Sequence, residues 1–139
     1  MADYSSYVTI QVSKLVPQLT LGNARANSGS YDPQPPQTIE PGTTANFQLH
    51  DPSGPYGSDG SVSYNGQGIS LSAAYACPYW SSNTGEVGIG GNGGFVADWY
   101  VQAGDDGYWM RQQVPGRGHP LRLFVAVRAA SEPVVGPPG

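Results

Sequence analysis

The sequence predicts an all-β protein, an antiparallel β-sandwich of about seven to ten strands. Three observations favour this fold class. Apolar and polar residues alternate along several segments, as they do in strands that bury one face. The 20 glycines and 13 prolines among the 139 residues fall largely between these segments, where they favour turns. No segment keeps apolar residues at helical spacing over about three turns.

The alternating segments are the predicted strands. In the first of them Val8, Ile10 and Val12 share one face. The segments cover residues 7–12, 18–21, 45–51, 69–77, 95–102 and 121–128, with shorter candidates at 62–64, 87–89 and 108–114. Residues 1–130 are predicted to form one domain, because domains cluster at roughly 100–150 residues. Residues 131–139, rich in proline and glycine and without periodicity, are predicted to form a flexible tail.

Composition and charge exclude several kinds of partner. Six basic residues against ten acidic ones give a net charge of −4, which disfavours a grip on nucleic-acid phosphates. No apolar run approaches the roughly 20 residues of a membrane-spanning helix. The first residues carry neither a basic region nor an apolar run, so we expect cytoplasmic synthesis without a signal peptide. Release by an unconventional route would leave no mark in the sequence.

Residues for catalysis or metal binding are few. His50 lies on the polar face of a predicted strand, and His119 lies in a predicted turn. No nucleophile motif accompanies them. Together with the single cysteine they offer no metal-ligand spacing, and Cys77 lies on the apolar face of its strand. We therefore predict that the protein is not an enzyme and uses no metal or cofactor.

Aromatic residues are the remaining signal, with nine tyrosines, three tryptophans and three phenylalanines. They crowd into residues 75–80 and 95–109. Trp99 shares the inward face of its strand with Phe95 and is predicted to pack in the core. Two pairs of aromatic residues instead follow predicted strand breaks, one pair after Pro78 and the other after residues 105–107, where we expect loop tips to expose the side chains. The predicted ligand-binding residues are Tyr79, Trp80, Asn83, Tyr108 and Trp109.

Two segments of the sequence resemble the aegerolysins, small acidic β-sandwich proteins found mostly in fungi. The first matches at Gly42, Thr43, Thr44, Phe47, Leu49 and Asp51. The second matches at Tyr75, Cys77, Pro78, Tyr79, Ser81 and Asn83. With the intervening strands, the likeness covers roughly residues 5–128. It implies a protein that binds membrane lipids such as sphingomyelin with cholesterol, or ceramide phosphoethanolamine, and that acts with a larger pore-forming protein.

The chain departs from the family pattern at several positions. Ala76 stands where the family has an aspartate before Cys-Pro, and Tyr7 and Tyr79 stand where tryptophans are usual. Lys14 is the only lysine, whereas the family has more. If loop tryptophans bind the lipid, these departures put the lipid specificity of the chain in question.

Three functional hypotheses follow. The preferred one is a membrane-lipid-binding protein whose exposed rings insert at the headgroup level. The alternative is a soluble carbohydrate-binding, lectin-like module, in which sugars stack on aromatic rings and polar side chains bind the hydroxyls. The polar candidates for this role are Asn83, Asn92, Asp98 and Gln102. The third is an assembly or structural protein whose apolar and aromatic surface meets another chain, a homo-oligomer being one form, because charged residues make up only 12% of the chain and give weak protection against association.

Overall fold

The computed structural model describes residues 2–52, 55–105 and 107–138. These residues form strands, turns and loops, and no helix is found among them. The strands are β1 (Ser6–Val12), β2 (Leu19–Ser28), β3 (Ser30–Tyr31), β4 (Thr38–Ile39), β5 (Thr44–His50), β6 (Gly57–Gly66), β7 (Ile69–Pro78), β8 (Thr84–Gly91), β9 (Phe95–Ala103), β10 (Met110–Arg111) and β11 (Leu121–Ala129). The all-β prediction is therefore confirmed. The predicted turn at 105–107 and the predicted tail each include a residue, Asp106 and Gly139, that lies outside the described ranges.

The strands form two sheets packed face to face. Sheet A has the strand order β10-β9-β11-β1-β5-β3, and sheet B has the order β4-β2-β6-β7-β8. Neighbouring strands are antiparallel apart from β1 and β11, which run parallel. This arrangement confirms the predicted β-sandwich, with one parallel pair that alternation alone does not predict.

The core lies between the sheets and is built from one face of each long strand. Val8, Ile10 and Val12 of β1 are buried as predicted, and Phe47 and Leu49 of β5 face the same interior. From sheet B, alternate residues of β6 and β7 complete the core: Val62, Tyr64, Ile69, Leu71, Ala73 and Tyr75. Burying these side chains supplies the main favourable term in folding.

Strand β11 departs from simple alternation. Its inward residues are buried, and so are Phe124 and Ala126 on the opposite face. The outer face is covered near Phe124 by Tyr100, with ring centroids 6.2 Å apart. Residues 132–138 also lie along this side of sheet A, where Glu132 accepts hydrogen bonds from Ser13 Oγ at 2.5 Å and from the amide of Ala129 at 2.9 Å. The tail therefore has defined contacts with the sheet.

Several predicted boundaries are wrong. Strand β2 is ten residues long although its second half is polar and exposed, because its backbone pairs with β6. The candidate strand at 108–114 shrinks to β10, two residues long. It ends just before Gln112, whose φ of 54° lies in the left-handed region that interrupts strand pairing. The two-residue strands β3 and β4 have too few residues to show alternation.

The strand register places five segments at one end of the sandwich. In sheet A, Ser6 pairs with both Leu49 and Leu121, and Leu121 pairs with Ala103. In sheet B, the ends of β6 and β7 join this end, since Ser58 Oγ lies 2.8 Å from Ser6 Oγ. We call this end the loop end. It comprises residues 2–5, 51–52 with 55–56, 79–83, 104–105 with 107–109, and 112–120.

Candidate functional site

The loop end carries a cluster of aromatic side chains. Tyr79 and Trp80 contact each other with ring centroids 4.8 Å apart, and Tyr79 lies 5.0 Å from Tyr4. Tyr4 also stacks on His119, with centroids 4.2 Å apart. Trp80 is 81% exposed and Tyr79 is 41% exposed. The cluster therefore has an anchored base at Tyr4 and an open tip at Trp80.

The local sequence explains why these rings leave the sheet. Pro78 ends β7, since proline has no amide hydrogen with which to continue the ladder. Its register partner is Gly57, whose φ of 75° suits a residue without Cβ; an added Cβ would lie 2.4 Å from the carbonyl oxygen of Cys77. Tyr56 directly precedes this glycine and is 64% exposed. The β6 and β7 strands thus present Tyr56, Tyr79 and Trp80 at the same end.

Hydrogen bonds fix the segment that carries Tyr4. The amide of Tyr4 donates to Asp51 Oδ2 at 3.2 Å. The hydroxyl of Tyr7 donates to Asp3 Oδ2 at 2.6 Å, and this bond, with burial, raises the pKa of Tyr7 to about 12. Burial of Asp3 is outweighed by hydrogen bonds from Ser5 and Tyr7, so the pKa of Asp3 is lowered. The base of the aromatic cluster is therefore held by a network of polar contacts.

Asn83 has a different position from the one predicted. It is buried, and its Nδ2 donates to the carbonyl oxygens of Pro115 at 3.1 Å and Gly118 at 2.9 Å. Its backbone amide donates to Gly116 at 3.0 Å. Asn83 thus ties the loop that carries Trp80 to the loop before β11. It positions the exposed rings and does not face the surface itself.

Tyr108 and Trp109 lie at the loop end but point to different surroundings. Tyr108 is 88% exposed, like a free loop tip. Trp109 is partly buried and lines a cavity of about 660 Å³ on the outer face of sheet A. The predicted site residues therefore fall into three groups. Tyr79, Trp80 and Tyr108 are exposed at the loop end. Asn83 is buried beneath the loop that carries Trp80, and Trp109 lines the cavity.

Sequence reasoning missed Tyr4, Tyr56 and His119. Tyr56 stands between Pro55 and Gly57, a turn context that indicates exposure. Nothing local to Tyr4 or His119 shows that they stack, because their meeting depends on β1 and β11 being neighbours. Two of the polar candidates for sugar binding already have partners within the protein. Asp98 is buried among arginines, and Gln102 Nε2 donates to the carbonyl oxygen of Gly107 at 2.8 Å.

Within residues 2–52, 55–105 and 107–138, no three His, Cys, Asp or Glu side chains lie together as metal ligands. Burial raises the pKa of the Cys77 thiol to about 12, which suppresses the reactive thiolate. The part of the chain that the structure describes also contains no helix long and apolar enough to cross a membrane.

Several solved structures share this fold, including two that align over most of this chain. One is described as the lipid-binding protein Nakanori; it aligns with a TM-score of 0.61 and 10% identity over 88% of this chain and 70% of that chain. The other is the RahU protein in complex with a TRIS molecule, with a TM-score of 0.59 and 13% identity over 93% of this chain and 97% of that chain. The chain therefore shares the overall β-sandwich fold of these two structures.

No protein-family model matches the sequence, and no curated protein matches it. At 10% and 13% identity the structural likeness concerns the fold and carries no residue-by-residue correspondence of function. Any function of this chain therefore has to be inferred from its own residues.

Proposed function

We propose that the protein is a membrane-lipid-binding protein, not an enzyme, and that it docks on the bilayer with its loop end. The observation that carries the proposal is the grouping of exposed rings at this one end. Tyr56, Tyr79, Trp80 and Tyr108 are between 41% and 88% exposed. Tryptophan and tyrosine suit the membrane interface because each has an apolar ring and a polar group.

The energetics of ring burial support this role. Moving one large apolar side chain out of water contributes roughly 1.5–3 kcal/mol. Several rings that enter the headgroup region together would hold the protein on a membrane without a basic patch. This fits the net charge of −4, which gives no general attraction to anionic lipid. We therefore expect docking to depend on the rings and little on ionic strength.

The lipid class follows from the family resemblance. We propose a sphingolipid-containing bilayer as the target and a larger pore-forming protein as a partner, with self-association on the membrane as a further expectation. One structural neighbour is described as a lipid-binding protein, which supports the lipid part of the proposal. Synthesis in the cytoplasm stays a prediction.

Vesicle co-sedimentation tests the proposal. We would compare phosphatidylcholine–cholesterol vesicles with the same vesicles containing sphingomyelin or ceramide phosphoethanolamine. Trp80→Ala should weaken binding about ten-fold, because the variant lacks one of the rings that would enter the membrane interface. Leu15→Ala is the matched control: Leu15 is 61% exposed, but it follows the opposite end of β1.

The control should bind like the unmodified protein. Absence of binding to every sphingolipid-containing mixture would contradict the proposal. So would an equal loss in the Leu15 and Trp80 variants, because the loop end would then have no special role.

A further inference from the structure

The outer face of sheet A carries a cavity that the membrane proposal does not use. Its volume of about 660 Å³ lies in the range typical of small-molecule sites, roughly 300–1,000 Å³. Outward side chains of β1 and β5 form the floor, Trp109 lies on one side, and the tail closes another side with Gly136 and Pro138. The cavity is thus a partly enclosed site on the outer face of the sheet.

The cavity lining is more apolar than polar, but a row of polar side chains crosses its floor. Register places Tyr7 opposite Gln48, Thr9 opposite Asn46 and Gln11 opposite Thr44 on the outward face. Thr9 Oγ1 donates to Asn46 Oδ1 at 2.8 Å, so the amide nitrogen of Asn46 keeps its hydrogens available for a ligand. Rows of amides and hydroxyls at strand spacing match a ligand that presents several hydroxyl groups.

Arg122 adds a positive charge at the end of the cavity near Tyr7. Its guanidinium lies over the Tyr7 ring, 5.5 Å from the centroid. Nη2 forms an ion pair with Asp105 at 3.0 Å, and Asp105 is largely exposed. Among the residues that the structure describes, the buried Nη1 atom has no hydrogen-bond partner. The Arg122 side chain as a whole is 34% exposed and lines the cavity, so an anionic oxygen in the cavity can approach its guanidinium from the open side.

Trp109 supplies the third element. It is partly buried, lines the cavity and offers an indole ring beside the polar floor. An aromatic ring beside amides and hydroxyls suits a sugar ring, whose C–H groups pack on the aromatic face while its hydroxyls bond to polar side chains.

We propose that the cavity formed by Trp109, Asn46 and Arg122 binds a sugar ring that carries a carboxylate. The carboxylate pairs with the guanidinium of Arg122, which lines the cavity, the hydroxyls bond to the amides of β1 and β5, and the ring packs on Trp109. A phosphate alone would use the arginine but leave the indole and most of the amide floor without contacts. This site is separate from the exposed rings of the loop end, so either proposal can fail alone.

Titration of the ¹⁵N-labelled protein with glucuronate and with N-acetylneuraminate tests the site. The indole N–H signal of Trp109 should shift in a saturable way, while that of Trp80 stays in place; single Trp→Phe variants assign the signals. Glucose, which lacks the carboxylate, and inorganic phosphate should bind about ten-fold more weakly or not at all.

Arg122→Gln should weaken binding of the acidic sugars about ten-fold, and Arg122→Lys less, because lysine keeps the charge. Arg117→Gln is the matched control, since Arg117 is exposed and outside the cavity. Asn46→Ala, at an exposed position, should also weaken binding and provides a variant that does not disturb the Tyr7 contact. Thermal unfolding verifies that each variant is folded.

Three results would overturn the proposal: no saturable shift with either acid, equal binding of glucose and glucuronate, or unchanged binding in folded Arg122 and Asn46 variants. Vesicle binding by Arg122→Gln should match that of the unmodified protein, and sugar binding by Trp80→Ala should also be unchanged. These two measurements separate a failure here from a failure of the membrane proposal.

Discussion

Arg128 on β11 donates from Nε to Oδ2 of Asp98 on β9, at 2.7 Å. Asp98 is almost fully buried, although it lies on the face of sheet A that points away from the core. Arg111 on β10 bonds to the other carboxylate oxygen at 3.1 Å. Arg128 also donates from Nη1 to the carbonyl oxygen of Glu132 at 2.7 Å. One carboxylate therefore joins three strands and the start of the tail.

Removing the charge of Asp98 should destabilise the fold. Asp98→Asn leaves the two arginines without their counter-charge, and we expect a loss of about 2–3 kcal/mol in the free energy of unfolding. Arg111→Gln should cost less than about 1 kcal/mol, because half of the Arg111 side chain is in water. Urea unfolding measures both. Equal losses in the two variants would contradict the assignment of Asp98 as the centre of the network.

Asn83 provides a second prediction, concerning the support beneath the exposed rings. Asn83→Ala removes a buried donor and leaves the Pro115 and Gly118 carbonyl oxygens without it, so we expect a loss of about 1–3 kcal/mol. Asn92→Ala, at an exposed position, is the control and should change stability by less than about 0.5 kcal/mol. Urea unfolding distinguishes them. An unchanged Asn83 variant would show that the two loops hold together without this bond.

Buried tyrosines predict an alkaline loss of stability. Burial raises the pKa of Tyr31, Tyr64 and Tyr75 above the usual value of 10. The folded protein keeps these hydroxyls protonated while the unfolded chain ionises them. Stability should therefore be complete below about pH 10 and fall as pH rises beyond it.

Urea unfolding at pH 8, 9, 10 and 11 measures this dependence. Tyr75→Phe should reduce the slope above about pH 10 by up to one proton, because one tyrosine no longer ionises on unfolding. The hydroxyls of Tyr31 and Tyr75 are 2.7 Å apart, so this variant should also be less stable at pH 8. A slope that Tyr75→Phe leaves unchanged would count against the role of the buried hydroxyl.

The alternation of apolar and polar residues predicted those strands that bury one face in the core. In β1 and β7 every second residue is apolar, and those residues form the core. The length of β2 was underestimated. Asn23 and Arg25 belong to this strand because their backbone pairs with β6, and the pattern of side chains gives no guide to such pairing. The charged network at Asp98 was also missed, since three strands and the tail meet there only after folding.

The candidate site was partly predictable. Pro78 marks the end of a strand, so the exposure of Tyr79 and Trp80 could be inferred from local sequence. The burial of Asn83 could not, because its partners lie more than thirty residues away on another loop. The cavity beside Trp109 was unpredictable for the same reason: its floor, arginine and tail wall come from separate parts of the chain.

The pairing of β1 with β11 has a consequence for how the molecule acquires its structure. Ser6 has Leu121 as its register partner, so the middle of sheet A closes only when two distant stretches of chain meet. Strands β6, β7 and β8 instead form two consecutive hairpins that share β7. Contacts between near neighbours in sequence form faster than those that close long loops. The hairpin layer should therefore nucleate early, and the pairing of the first strand of the chain with the last should set the overall rate.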